Sequence, residues 1–154
     1  MSKSKPRTNR KGLIIGLSVF SVVIIVVIVL IVLWFTVFNR MYYCGKLKVK
    51  EDPFDKYIPY FKDNMLYGPN LLDGSIVPQP LESDSKISVY GHVFTISDSK
   101  NHMEIDIKNK TNNTNGNILH YTDVYHNKSL NRIILFSKDN LDITIGIDSS
   151  YFHC

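Results

Sequence analysis

The sequence predicts a single N-terminal transmembrane α-helix followed by a small antiparallel all-β or mainly-β domain. Two observations carry this. Gly12 to Phe38 runs for 27 residues without a charge. From Lys86 onward, short Val-, Ile-, Tyr- and Phe-rich alternations are separated by Asp, Asn and Ser turns, the period and punctuation of half-buried strands.

The chain begins with a basic tail, residues 1–11, whose five Lys/Arg residues meet no acid. The apolar run, residues 12–38, would reach about 40 Å as a helix, against about 30 Å for a hydrocarbon core. Val and Ile dominate it, yet a lone strand in lipid leaves its backbone polar groups unsatisfied, so the span must be helical. It is about twice the length of a signal-peptide core and no small-residue cleavage site follows, so a permanent signal anchor is expected. Trp34, Tyr42 and Tyr43 fall where amphipathic rings favour the membrane interface.

Residues 39–85 read as a juxtamembrane stalk rich in aromatic residues and proline. Asp52 and Pro53 form a helix start. Phe54, Tyr57, Ile58, Phe61 and Met65 then share one helical face, with Pro59 set to kink or shorten the helix. Pro78 and Pro80 argue against a central strand at Ile76-Val77.

Residues 86–154 are read as the β domain. Strands are expected over 87–97, with Gly91 as a bulge or bend, and over 103–107, where Met103, Ile105 and Ile107 face in. Asn109 to Asn117 reads as a polar loop. Further strands are expected over 118–126, 131–137 and 141–147, the last with Leu141, Ile143, Ile145 and Ile147 facing in. That makes five strands with mostly local pairing.

Charge narrows the partners. From Met41 onward, 12 Lys/Arg face 14 Asp/Glu, so the domain is slightly acidic and no nucleic-acid footprint is expected. The basic tail instead suits a lipid bilayer with the tail held in the cytosol, N-in and C-out, as in a type II membrane protein. Asn109, Asn112 and Asn127 each begin an N-glycosylation sequon, which would make an extracytoplasmic C-terminal domain a glycoprotein.

Cys44 and Cys154 are the two cysteines. In an oxidising compartment they would close a loop across the domain in a disulfide bond. Alternatively, Cys44 would bridge two parallel chains in a homodimer, to which pairing of the anchors would contribute. In the cytosol, Cys44 becomes an acylation candidate.

His120, Asp123 and His126 sit at metal-like intervals, but on one strand Asp123 points away from the two histidines. No metal site, catalytic set or cofactor is expected. The functional expectation is therefore a single-pass membrane protein whose β domain is a non-catalytic binding or structural module, engaging another protein. A structural or assembly component of a large DNA virus's virion membrane is the second expectation, since this plan and Lys/Asn/Ile-rich usage suit such envelopes. A membrane-tethered enzyme or metal-binding domain using His120, Asp123 and His126 is the third.

Overall fold

The structure is a computed structural model that describes residues 9–70 and 72–154. The tail before Asn9 and the loop position Leu71 lie outside the described residues. The chain divides into two units at Trp34.

The first unit is helix α1 (Arg10–Leu33). None of its side chains is buried. Its two hydroxyls turn back on the helix: Ser18 Oγ donates to the Ile14 carbonyl at 3.0 Å and Ser21 Oγ to Leu17 at 2.9 Å. Such back-bonding satisfies a polar group within an otherwise apolar surface. A π-helical turn (Trp34–Phe38) and helix α2 (Asn39–Gly45) follow. The helical stretch Arg10–Gly45 is long and apolar enough to cross a membrane.

Among its described residues the second unit holds twelve strands in two sheets. The stretch expected to be a stalk supplies β1 (Lys48–Val49), β2 (Tyr60–Lys62), β3 (Met65–Pro69) and β4 (Ile76–Pro80). The sheet structure thus starts at Lys48, well before Lys86. Next come β5 (Lys86–Tyr90), β6 (Val93–Ser97), β7 (His102–Asp106), β8 (Thr111–Thr114) and β9 (Asn117–His120). The chain ends with β10 (Asp123–Asn127), β11 (Arg132–Phe136) and β12 (Ile145–Asp148).

Strands β5 to β9 form an antiparallel meander. The other sheet has the order β1-β10-β11-β12-β2-β3-β4. Here the C-terminal meander β10–β12 is inserted between β1 and β2, with parallel pairing at both seams. Early and late parts of the domain therefore interlace in one sheet, and the middle of the chain builds the other.

Several expectations are corrected. The expected helix after Pro53 lasts only one 3₁₀ turn (Pro53–Tyr57), capped by the Asp52 carboxylate accepting from Phe54 N at 2.9 Å. Pro59 cannot continue a helix, and Phe61 enters β2 with its ring buried. Gly91 is a hairpin turn and not a bulge: Tyr90 pairs with Val93 across the two-residue loop Gly91-His92, with Gly91 at φ +59°. Glycine at the first position of such a loop is the type II′ arrangement.

The 109–117 region contains β8, joined to β9 through Asn115-Gly116, both at positive φ. The expected strand over 118–126 breaks at Tyr121-Thr122 into β9 and β10, which belong to different sheets. Over 141–147, Leu141 starts a 3₁₀ turn and is exposed, and only Ile145 onward is strand.

The two sheets share one apolar core. Phe61, Val124, Ile133, Leu135 and Ile147 from one meet Val89, Phe94, Ile96 and Ile105 from the other, with Phe152 from the C-terminal turn. The Phe61 and Phe94 rings lie 5.8 Å apart across this interface. Complete burial of one such side chain stabilises by about 1.5–3 kcal/mol.

The outer face of the seven-stranded sheet is also structured. Tyr125, Ile134, Gly146, Tyr60 and Tyr67 are successive cross-strand partners, and the Tyr60 and Tyr67 rings stack at 5.0 Å. A Cβ on Gly146 would stand 2.9 Å from Tyr60 Cβ, so glycine allows the parallel seam to close.

Candidate functional site

Among the described residues of the second unit, polar side chains gather in several places, two of which tie distant parts of the chain together. The first is a buried girdle on the outer face of the seven-stranded sheet. Asp55, carried on the 3₁₀ turn Pro53–Tyr57, is 2% exposed. Its carboxylate accepts from Tyr125 Oη at 2.7 Å and from Asn127 Nδ2 at 2.9 Å. Asn127 Nδ2 also reaches the Asp52 carbonyl at 3.1 Å, and Arg132 Nη1 donates to the Asp55 carbonyl at 3.2 Å. Burial, followed by the Asp55 contact, pushes the Tyr125 phenol far above its ordinary range. Every bond in this girdle ties residues 52–55 to β10 and β11, so it fastens the start of the domain to its end.

The second place is where α2 meets the C-terminus. Cys44, on α2, and Cys154 form a disulfide with Cα atoms 5.9 Å apart. The C-terminal residue is positioned by the 3₁₀ turn Ser149–Phe152, in which Phe152 is fully buried. The Cys154 amide donates to the Ser149 carbonyl at 3.3 Å. Cys44 is itself buried, and among the described residues neither cysteine is a free thiol.

His126 on β10 completes this place. It lies on the core-facing row of its sheet, paired with Ile133 on β11 and with Val49 on β1. The ligand atoms of Cys44, His126 and Cys154 all lie within 4.8 Å of one another. His126 Nε2 is buried and has no hydrogen-bond partner. Desolvation, with the Lys128 charge nearby, holds the His126 imidazole below its ordinary pKa. A cavity of about 260 Å³ opens beside the three, lined also by Met41, Gly45, Lys128 and His153.

The expected trio His120, Asp123 and His126 does not come together. His120 is an exposed residue of β9 in the meander, while Asp123 and His126 belong to the other sheet. Asp123 pairs with Lys48 at 3.7 Å. His126 has different partners: Cys44 lies 82 positions before it and Cys154 28 positions after it, so nothing in the local sequence around His126 signals them.

The remaining singled-out residues separate by environment. Asn109 is exposed, its amide donating to Asp106 at 2.7 Å. Asn112 is buried against Tyr121 Oη, and Asn127 is buried in the Asp55 girdle. Trp34 and Tyr42 are exposed. Tyr43 is partly buried, packs on the core and lies 4.5 Å from the His92 ring.

Fold and site together define a β-sandwich that follows an apolar N-terminal helix in the chain and is covalently closed between α2 and Cys154. No family model matches the chain, and neither a curated protein nor a solved structure matches it.

Proposed function

We propose that this chain is a single-pass, N-in/C-out membrane protein whose β-sandwich is a non-catalytic binding or structural module that engages another protein. The observation that carries the reading is the Cys44–Cys154 closure immediately after the apolar helix. A disulfide suits an oxidising compartment, and the acid-free basic tail favours the cytosolic side. The sandwich then lies outside the cytosol. The abundance of Lys, Asn and Ile favours a second, narrower reading of the same domain as an assembly component of a virion membrane.

Protease protection on sealed microsomes, combined with glycosidase treatment, tests the topology. The expected result is loss of an N-terminal epitope with the sandwich protected. A glycosidase-sensitive mobility shift should vanish in Asn109→Gln and persist in Asn112→Gln, because Asn112 is committed to interior bonds. Digestion of the sandwich with the tail intact would overturn the orientation. For the narrower reading, recovery in fixed stoichiometry with purified particles is the expected result, and exclusion from them would remove it.

A further inference from the structure

We propose that Cys44, Cys154 and His126 form a redox-gated site for a thiophilic divalent cation of the Zn²⁺ class, closed while the disulfide stands and opened by its reduction. The inference rests on geometry at the cavity beside α2. Three potential ligand atoms already converge within 4.8 Å. In a tetrahedral site, Zn–S of about 2.3 Å and Zn–N of about 2.0 Å place ligand atoms roughly 3.5–3.8 Å apart. Once unbonded, the two sulfurs need only separate to that distance, and rotation of the side chains supplies the change.

His126 makes this more than a disulfide beside a histidine. Its Nε2 is buried with no partner, and a buried polar atom without a bond carries a desolvation cost that native structures rarely leave standing. Coordination to a metal through that nitrogen would remove the cost. The donor set also selects the ion: two thiolates and an imidazole suit zinc, whereas magnesium and calcium seek oxygen ligands. Two thiolates cancel the charge of the dication, so Lys128 at the cavity wall faces a neutral cluster. His153 also lines the cavity beside the three.

The chemistry balances with a dithiol as reductant. Its two thiols transfer two electrons and two protons to the Cys44–Cys154 bond and close into their own disulfide. The cation then displaces both protons from Cys44 and Cys154, while neutral His126 donates the Nε2 lone pair. The same three residues would thus hold a covalent clasp in an oxidising compartment and a metal clasp in a reducing one.

Full-length protein in detergent micelles, reduced with a phosphine, freed of reductant and titrated anaerobically with Co²⁺ alone, tests the site. The expected result is a one-to-one complex with thiolate charge-transfer absorption and tetrahedral visible bands, displaced by Zn²⁺. Unreduced protein should show none of these bands. His126→Ala should weaken binding by at least about tenfold, a loss that outer-shell partners alone can cause. Far-UV circular dichroism checks that this variant is folded, and His126→Gln, which keeps bulk and polarity, should show the same loss. Absence of the bands in reduced wild type, or unchanged affinity in folded His126→Ala and His126→Gln, overturns the proposal.

Discussion

Tyr125 Oη donates a 2.7 Å hydrogen bond to the Asp55 carboxylate across 70 residues of sequence. The bond joins a one-turn 3₁₀ segment at the start of the domain to a strand near its end, and both residues are buried. Hydrogen bonds to charged groups contribute about 1.5–3 kcal/mol, and stranding a buried partner costs more than the bond itself contributes. Tyr125→Phe should therefore destabilise the domain by about 2 kcal/mol. Asp55→Ala should cost about 3 kcal/mol or more, because it leaves both Tyr125 and Asn127 without their acceptor. Urea denaturation measures both. Equal and negligible losses would mean the girdle is dispensable and the segment is held by Phe61 and the β2 pairing alone.

The meander offers a paired test on adjacent residues. Ile105 is fully buried, while Glu104 is exposed and meets the equally exposed His102 at 2.9 Å. Ile105→Asp places an unpaired charge in the shared core and should cost at least about 4 kcal/mol, enough to unfold many small domains. Glu104→Ala removes only a solvent-screened pair, worth at most about 1 kcal/mol. Similar small effects from both would mean that β7 presents its other face to the core.

Residues 103–107 were legible because one face is wet and the other dry, so period-2 alternation is written directly into Met103, Ile105 and Ile107. The apolar helix was legible for the complementary reason that no residue from Gly12 to Phe38 carries charge. The stalk region was not. Tyr60 to Lys62 is too short to show a period, and Pro78 and Pro80 lie on β4, an edge strand, where a missing N–H donor is tolerated. The 109–117 hairpin carried a signal that its polarity obscured: Asn115-Gly116 is the pair favoured by type I′ turns. Asp63-Asn64, also at positive φ, made a similar turn between β2 and β3. At the candidate site, the two cysteines were readable as a pair. His126 was not readable as their neighbour, because parallel pairing of β1 with β10 brings it there from 82 positions beyond Cys44.

Three phenols make the domain sensitive to alkali. Tyr121, Tyr125 and Tyr151 are all raised above the ordinary phenol range, each mainly by burial. A buried phenol is retained in its neutral form, so the folded state holds the proton more tightly than the unfolded chain. These contributions are complete below the unfolded value of about 10 and are lost as pH rises through the folded values. The urea midpoint should fall steadily above about pH 10. Ultraviolet titration should show a late-ionising subset among the nine tyrosines. Simultaneous ionisation of all nine with an unchanged midpoint would contradict this packing.

The clasp itself gives the most direct measurement. On a non-reducing gel the oxidised chain should run as a slightly fast monomer that slows on reduction, and Cys44→Ser and Cys154→Ser should each abolish the difference. A dimer that disappears in Cys44→Ser but survives in Cys154→Ser would instead place the bridge between chains. The bond spans 110 residues, for which the chain-entropy model gives about 4–5 kcal/mol through restriction of the unfolded state. Loss of the bridge should thus lower the urea midpoint substantially in either serine variant. The folded reduced domain should still keep its C-terminus in place, since Phe152 is fully buried and the Asp148 carboxylate caps the last turn at Ser150 N, 2.9 Å away. Alkylation of the reduced, folded protein checks this. Slow labelling of buried Cys44 beside faster labelling of exposed Cys154 is expected, and equally rapid labelling of both would show that α2 leaves the domain when the bond is cut.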